Sequence, residues 1–476
     1  MSASKQPCGH LRAVSPGCPS RLKARWPHRV AEATDDPAED GGEILHFMVD
    51  QPQSRGLVRS MRTPALVTHY ITSVLGVGIL VLPGVAAAVA GPVSLVAWLL
   101  LVVWSYPFAL VFARLSVRAP SAGGIADFVG SAFGRAWGRR TSIFLLLTLI
   151  IANPLLGLAS GRSLMAVVAP DAQNRTVLLV GFGIILATIV TNIAGLRLST
   201  RLQSLLLLAL IAFLVTVMVM AVPSVRLSRL TPVAPNGWLA IGPALLVCFF
   251  GFIGWENAAP VAEEVVDPDR TFPRAIAVAV VAVGALYLAM AATIVLGQPA
   301  GTTNAQGITA FSGLLRAGFE GAAVPAGNLV AFILLALTAN AWTLGTSRVV
   351  YSTARAGLLP AKMATVNRHG TPTVAVTALA LGYGASVAAL FAFDLDESAL
   401  ITATSAAFLI VFLVAVLAAT VLLTGRMRLW SWFVAAVTGA MVPFFSSSLP
   451  WAAAIAAAAM GGELVGRRLA GAGEHS

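Results

Sequence analysis

Two apolar stretches of the chain are each interrupted by glycines, and their unwound main chain could bind a charged solute. The stretch from Thr63 to Ala90 is broken between Gly76 and Ile79 and again at Pro83-Gly84. The stretch from Trp238 to Glu264 is broken between Gly251 and Glu256. A break of this kind survives at bilayer depth only where it lines a cavity. Two broken helices at corresponding places in two halves of a chain indicate a secondary transporter with its substrate between the breaks.

The second break contains a carboxyl group, that of Glu256. An ionised carboxylate at the bilayer centre costs about 2.5–3.5 kcal/mol on insertion scales, so Glu256 should take up a proton or meet a partner. It is a candidate for proton coupling or gating, and the alternative is a carboxyl group hydrogen-bonded to helix ends for structural reasons. His69 is the other ionisable candidate within a span, and a neutral histidine bonded to a carbonyl is the favoured interpretation there.

The elements that must hold these residues are membrane helices. The 476 residues are 58% hydrophobic and 11% charged, with a mean hydropathy of +0.85, whereas soluble domains are roughly 45–50% apolar and about 25% charged. A bilayer core needs about 20 apolar residues per helix. Twelve such segments are predicted, at 64–90, 93–115, 141–169, 176–195, 201–222, 238–263, 273–297, 324–356, 372–393, 397–424, 429–447 and 449–468.

The net charge of +11 could suggest nucleic-acid binding, but the placement of the charges argues against it. With a cytoplasmic N-terminus, nine Lys and Arg residues lie in the tail up to Arg62, and seventeen lie on the cytoplasmic side after it. This is the positive-inside pattern of a multi-pass inner-membrane protein with both termini cytoplasmic. Only five fall on the outer side, namely Arg162, Arg175, Arg226, Arg229 and Arg316.

Residues 1–60 are polar, proline-rich and mixed in charge, which predicts a disordered cytoplasmic tail. A translation start at Met48 or Met61 is the alternative. Two tail cysteines and Cys248 imply no disulfide framework, and no second ligand pair follows the tail cysteines at zinc-finger spacing. No metal and no other cofactor is expected.

Four motifs occur in one register along the chain: Gly76–Ile79, Pro120–Gly134, Glu263–Ile276 and Ser347–Pro372. With these motifs the chain resembles the amino acid-polyamine-organocation superfamily over roughly residues 62–425. Within that superfamily it is most similar to the efflux branch that exports methionine and branched-chain amino acids.

The resemblance implies an all-α leucine-transporter fold with two inverted repeats of five helices, in which helices 1 and 6 are broken. It divides the chain after the tail into a first repeat at 61–222, a second repeat at 223–425 and a peripheral pair of helices at 426–476. The connection after segment 2 is too long for a tight loop and too polar to span. Its later apolar positions predict a short amphipathic helix on the cytoplasmic side.

An amino acid presents a carboxylate and an ammonium group, and the ends of broken helices supply the matching poles. The amides around Gly76, Val77 and Gly78 are assigned to the carboxylate, with Ile79 beside them. This matches the superfamily pattern except that Val77 replaces the common Ser or Thr. The alternative is that the glycines merely allow close helix packing. The carbonyls assigned to the ammonium are those of Ser73, Val74, Phe250 and Gly251.

Aromatic residues crowd the second break. In the superfamily an aromatic at the position of Phe252 resembles the gate that covers bound substrate, and Phe250 would line the site. Phe249 is a further candidate for the site, and Trp255 and Glu256 are further candidates for gating; ordinary core packing is the alternative for the aromatic residues. No basic residue is expected beside the site, which favours neutral apolar substrates over arginine or polyamines.

The coupling ion is left open between a proton and sodium. Segment 5 lacks the lysine that proton-coupled relatives often carry. Segment 8 offers Thr338, Thr343 and Thr346, which resemble the hydroxyls of sodium-coupled relatives, although threonine in membrane helices usually bonds to the backbone. Asn153 in segment 3 and Asn340 in segment 8 are further candidates for the substrate site.

Charged residues on the cytoplasmic side could pair to close an inner gate and separate when the helices rock. A solvated, unpaired loop is the alternative, because exposed ion pairs contribute only about 0–1 kcal/mol. The residues are Asp127, Glu263, Glu264, Asp267, Arg270, Arg348 and Arg355.

These features predict a secondary active transporter of methionine, leucine, isoleucine and valine, an exporter that works by alternating access as a monomer or homodimer. An importer or exchanger of another amino acid or amine is the alternative within transport. A membrane-embedded enzyme is a rival from another class, but the chain lacks a cluster of acidic or histidine residues at a membrane face. A transporter-like nutrient sensor is a further alternative. A sensor would be expected to carry a long ordered cytoplasmic domain, and the predicted tail is not one.

Overall fold

The computed structural model describes residues 58–76, 78–118, 121–194, 200–297, 310–311, 314, 323–368, 370–392 and 397–473. Residues 1–57 of the predicted tail and Val77 lie outside the described residues. The α-helices of the described residues are α1 Thr63–Leu75, α2 Gly78–Ala90, α3 Ser94–Arg118, α4 Ile125–Phe133, α5 Arg135–Val168, α6 Asn174–Ile193, α7 Thr200–Met220, α8 Ile241–Phe250, α9 Pro268–Gly297, α10 Ala323–Arg355, α11 Thr373–Ala392, α12 Glu397–Leu422, α13 Gly425–Met441 and α14 Leu449–Gly473.

The helix lengths suit a bilayer. Ten helical stretches of the described residues are long and apolar enough to cross a membrane. The first, Thr63–Arg118, contains two of the predicted segments, and a shorter apolar helix at Leu449–Gly462 corresponds to the last one. The all-α, multi-span prediction is confirmed, and the predicted segments differ from the observed helices mainly at their ends.

The first predicted break separates α1 from α2. Gly76 leaves the helix with φ 9° and ψ −138°, and α2 begins at Gly78. The second interruption, predicted at Pro83-Gly84, is wrong, because α2 continues through Pro83 to Ala90. A proline removes one hydrogen bond from a helix interior, and neighbouring groups in a membrane bundle accommodate that loss.

The second predicted break follows α8. A turn runs from Gly251 to Gly254, which has φ +130°, a conformation open to glycine. The chain then forms short 3-10 helices at Trp255–Ala258 and Ala262–Glu264. The broken helix therefore has no second α-helical half before α9 begins at Pro268. Pro260 accounts for part of the difference, because it has no N–H and disfavours helical conformation in the residue before it.

The helix predicted between segments 2 and 3 is α4. Its buried residues are Ile125, Ala126, Phe128 and Val129, and it packs against α5 and α12. Its apolar face therefore covers the bundle. Among the longer helices, α9 packs against α1, α2 and α3, while α10 packs against α1 and along α5. The two breaks are thus held between α9 and α10.

Candidate functional site

The two breaks are packed directly against each other. A Cβ atom added at Gly78 would lie 2.9 Å from the Cα of Gly251, and one added at Gly254 would lie 2.5 Å from the carbonyl oxygen of Ser73. Real Cβ atoms essentially never come closer than 3.0 Å to another heavy atom. A side chain at position 78 or 254 would therefore push the two main chains apart, which explains why glycine stands at both.

Tyr287 of α9 bridges the two breaks. Its hydroxyl lies 3.0 Å from the carbonyl oxygen of Val74 and 2.8 Å from that of Gly251, and donates to both. The ring stacks on Trp98 of α3 with 4.8 Å between centroids, and Phe252 lies 5.3 Å away. Tyr287 is not among the predicted site residues, although a lone tyrosine in an apolar segment is a signal that could have identified it.

A second junction forms around Ser73. Its carbonyl oxygen accepts a hydrogen bond from the indole N–H of Trp342 in α10 at 2.9 Å. The side-chain amide of Asn257 donates to the hydroxyl of Ser73 at 2.9 Å and to the carbonyl of Ala341 at 3.2 Å. The ring of His69 lies 3.1 Å from the carbonyl oxygen of Asn257, in agreement with the favoured interpretation of that histidine. Ser73 therefore joins α1, the second break and α10.

All four carbonyls assigned to the ammonium accept hydrogen bonds from the protein itself. Three accept from the tyrosine and tryptophan just described, and the fourth, at Phe250, accepts from the N–H of Ile253 at 3.3 Å. A carbonyl oxygen has two lone pairs. Each carbonyl therefore keeps capacity for a further donor, but in this conformation protein groups already occupy the carbonyl pole.

The amide pole lies at the start of α2. Gly78 and Ile79 are buried in its first turn, where N–H groups have no acceptor within the helix. Gly76 faces α10 and α5, because an added Cβ would lie 3.2 Å from Thr338 Cγ2 and 3.8 Å from Leu156 Cδ2. The walls nearest to Gly76 are therefore a threonine methyl group and a leucine.

The aromatic residues of the second break point in different directions. Phe252 is buried beside Trp98 and Tyr287, and Trp255 packs against Tyr70 at 5.8 Å. Phe250 is partly buried. Phe249 instead joins a cluster of rings in the core, formed by Trp104, Phe412 and Phe445.

Glu256 is buried at the second break, with 4% of its surface exposed. One carboxyl oxygen accepts from the N–H of Gly254 at 2.9 Å. The other oxygen is buried and has no hydrogen-bond partner among the described residues. A carboxyl group hydrogen-bonded to a helix end for structural reasons, one of the two predicted alternatives, accounts for one oxygen. The other oxygen has capacity for a proton or a cation.

Asn153 and Asn340 belong to a polar cluster between α5, α6, α10 and α11. The amide of Asn153 donates to Thr343 at 3.0 Å and to Tyr383 at 2.6 Å. The side-chain oxygen of Asn340 accepts from Thr191 and Asn192 of α6, both at 2.9 Å. In the part of the chain that the structure describes, these side chains do not hydrogen-bond to either break. Thr338 and Thr346 bond to main-chain carbonyls of α10.

Several of the predicted gate residues are brought together at the C-terminal end of α10. Arg348 and Glu264 form an ion pair at 2.6 Å, with side chains 2% and 3% exposed. Arg355 lies 3.3 Å from Glu263, whose carboxylate also accepts from the main chain of Ala122 at 2.9 Å.

Asp127 accepts from the hydroxyl of Ser121. Asp267 and Arg270 form only an exposed pair at 3.8 Å. Asp127 also interacts electrostatically with Arg355 and Glu263 and so belongs to the cluster, whereas the exposed pair of Asp267 and Arg270 contributes little.

The main chain reinforces the same end of the bundle. The N–H groups of Ser60 and Met61 both donate to the carbonyl oxygen of Glu264 at 2.9 Å, and the N–H of Val266 donates to Met61 at 2.8 Å. The segment before α1 is therefore tied to the segment after the second break. In the described residues no group of three or more His, Cys, Asp or Glu could hold a metal ion.

A family model described as amino acid permease matches residues 63–461. This chain belongs to the amino acid permease family. The permease is 32% identical over 394 residues to the uncharacterized amino acid permease YecA of Bacillus subtilis, which covers 82% of this chain and 91% of the relative. It is 28% identical over 364 residues to the L-methionine/branched-chain amino acid exporter YjeH of Escherichia coli, covering 75% and 85%.

The fold is that of a known transporter structure. The permease superposes on the crystal structure of MhsT in complex with L-phenylalanine with a TM-score of 0.59, covering 84% of this chain and all of that chain at 15% identity. The prediction of a leucine-transporter fold with broken helices 1 and 6 is confirmed. The broken helices are α1 with α2, and α8 with the 3-10 turns after it.

Proposed function

We propose that this permease exports neutral apolar amino acids, among them methionine, leucine, isoleucine and valine, by alternating access about the two breaks. The observation that carries the proposal is the contact between Gly78 and Gly251, with carbonyl groups on one side and the first turn of α2 on the other. The carbonyls suit an ammonium group, and the N–H groups of that first turn suit a carboxylate. Both poles lie on buried main chain, where water competes little.

The side chains around the breaks favour an apolar substrate. Leu82 lies beside Gly251 and Leu156 beside Gly76, while Trp98 and Phe252 pack on the ring of Tyr287. Transfer of apolar surface into such a site contributes about 25 cal/mol per Å². The E. coli relative named as a methionine and branched-chain exporter is consistent with this preference and with the direction.

The orientation follows from the positive-inside distribution, with both termini cytoplasmic and the protein in the cell membrane. The ion pair of Arg348 and Glu264 is then a cytoplasmic gate that separates in each cycle. The pair joins the segment after the second break to α10 while that side is closed, and both charges become hydrated when the gate opens. Glu256 is the proposed proton-coupling residue, since its free oxygen is buried.

Overexpression tests the substrate and the direction together. Cells with extra permease should hold less free methionine and leucine and should resist toxic analogues of both. Gly78→Leu should abolish these effects while the protein still inserts, because its side chain has no room against Gly251. Gly183→Leu is the matched control, because Gly183 lies on α6 with nothing within 4 Å of an added Cβ. If cells with extra permease accumulated the toxic analogue instead, the permease would be an importer and the proposed direction would be wrong.

An importer is the second candidate. The permease is 24% identical over 345 residues to the branched-chain amino acid permease BcaP of Lactococcus lactis, covering 66% of this chain and 73% of the relative. The same site chemistry would serve uptake. Vesicles of native orientation with an inward proton or sodium gradient distinguish the two, since an importer coupled to the ion accumulates labelled leucine and an exporter coupled by antiport expels it.

A further inference from the structure

Tyr287 occupies the place that a substrate ammonium group would take. Its hydroxyl contacts one carbonyl from each break, Val74 at 3.0 Å and Gly251 at 2.8 Å. We propose that Tyr287 is an internal stand-in for the substrate: its hydroxyl fills the carbonyl pole of the empty permease and is displaced when an amino acid binds. The inference rests on the proposed function, and it adds the residue that lets the empty permease return for another substrate.

A transporter that moves substrate in one direction must pass through its closed state twice in each cycle. It closes once with substrate and once without. In the empty closed state, carbonyls at bilayer depth lack both an ammonium group and water, and buried acceptors without a donor are costly. A donor supplied by the protein removes that penalty from the empty state alone.

The hydroxyl of Tyr287 fills the gap between the two breaks, so an ammonium group can lie in that gap only after the hydroxyl has moved. A Cβ atom added at Gly78 would overlap the hydroxyl of Tyr287, and one added at Gly251 would lie 3.1 Å from it. The hydroxyl therefore sits in the space between the two glycines that separates the breaks. A substrate that reaches the same carbonyls must move it.

The chemistry favours the substrate in this competition. A phenol hydroxyl carries one proton, which Tyr287 shares between two acceptors. An ammonium group carries three donors and a charge, and hydrogen bonds with an ionised donor are roughly twice as strong as neutral ones. The hydroxyl is therefore strong enough to close the empty site and too weak to block it.

The tyrosine ring is packed between two aromatic neighbours, so the hydroxyl moves only together with the ring. Trp98 stacks on the ring at 4.8 Å and Phe252 lies 5.3 Å from it, while Tyr287 itself is buried in α9. A change in the χ1 angle of Tyr287 or a shift of α9 takes the hydroxyl off the two carbonyls. Displacement would then pass directly to Phe252, the residue predicted to cover bound substrate.

The test compares two modes of transport in proteoliposomes that contain Tyr287→Phe. Net efflux of radiolabelled leucine into leucine-free buffer requires return of the empty permease, whereas exchange of labelled for unlabelled leucine does not. We expect net efflux to fall about tenfold, which corresponds to about 1.4 kcal/mol and lies within the cost of an unsatisfied buried acceptor. Exchange should stay within about twofold, and leucine should bind at least as tightly as before.

Tyr383→Phe is the matched control. Tyr383 is also a buried tyrosine in a membrane helix, and its hydroxyl accepts from Asn153 in the polar cluster. That hydroxyl takes no part in the two hydrogen bonds from Tyr287 to the carbonyls of the breaks. Its loss should leave the ratio of net efflux to exchange unchanged.

Two outcomes overturn the inference in an active permease. Equal falls in efflux and exchange with weaker leucine binding would make the hydroxyl a direct ligand of the substrate, and an unchanged ratio would give it no part in the return step. Wild-type permease that moves neither leucine nor methionine would instead refute the proposed function, and the inference with it. Labelling with 3-fluorotyrosine gives an independent reading, since leucine should shift the ¹⁹F resonance that Tyr287→Phe removes.

Discussion

Gly78→Ala is the substitution whose effect the structure determines most closely. The added Cβ would lie 2.9 Å from the Cα of Gly251 and would overlap the hydroxyl of Tyr287. Carbon atoms prefer separations of about 3.5–4.0 Å. The two breaks must therefore separate by roughly 0.6–1 Å, or the hydroxyl must leave its two carbonyls.

The two costs add when both occur. Overpacking of a tight core costs about 1–3 kcal/mol, and burial of an acceptor without its donor costs about 1–3 kcal/mol. We expect Gly78→Ala to lower the free energy of unfolding by about 2–6 kcal/mol from these terms together. In a Tyr287→Phe background the hydroxyl is already gone, so the same change should cost only the overpacking term of about 1–3 kcal/mol.

The measurement is a double-mutant cycle. Denaturant unfolding in detergent, followed by tryptophan fluorescence, gives the free energy for wild type, both single variants and the double variant. Gly183→Ala serves as control, because nothing lies within 4 Å of its added Cβ. A coupling of at least about 1 kcal/mol between positions 78 and 287 is expected. Additive effects within about 0.5 kcal/mol would refute the contact between Gly78 and Tyr287 as described.

Three further changes test other parts of the site. Arg348→Gln removes the ion pair that this side chain forms with the buried carboxylate of Glu264, so a cysteine placed at Ser347 should become more reactive toward a membrane-impermeant maleimide; an unchanged labelling rate would contradict a gate there. Glu256→Gln should abolish the response of leucine transport to a pH gradient while leucine exchange persists, and a retained response would exclude Glu256 as the proton carrier. Asn153→Leu breaks two buried hydrogen bonds, so it should lower stability by about 1–3 kcal/mol with leucine affinity unchanged; a large loss of affinity would return Asn153 to the substrate site.

Hydropathy and glycine placement were sufficient to predict the helices and both breaks. The lengths of membrane helices can be predicted because the thickness of the bilayer fixes them. The paired glycines indicate where two main chains come close together. The same reasoning fails at Pro83, where α2 continues. It also fails after Gly254, where 3-10 turns replace a half-helix. In both places the outcome depends on which neighbours satisfy the main chain, and this is not visible in a local pattern.

The groups that close the site could not be predicted in the same way. Tyr287 and Trp342 bond to α1 across 213 and 269 residues of sequence. Neither residue belongs to a sequence motif from which its hydrogen-bond partner could be predicted. Charge pairing was predictable only as a group: Glu263 and Glu264 are adjacent, yet one accepts from the partly exposed Arg355 and the other from the buried Arg348. Their turn conformation decides which carboxylate points inward.

The main-chain link between Met61 and Glu264 gives experimenters a handle on the gate. Val58 is 48% exposed and stands two residues before Ser60, whose N–H is bonded to the carbonyl of Glu264. A fluorophore at position 58 would therefore move together with the segment that carries the buried carboxylate of Glu264. Its attachment would not disturb a helix. A purification tag fused close to Ser60 would disturb the main-chain hydrogen bonds between this segment and Glu264. A spacer placed before Val58 would keep the tag away from these hydrogen bonds.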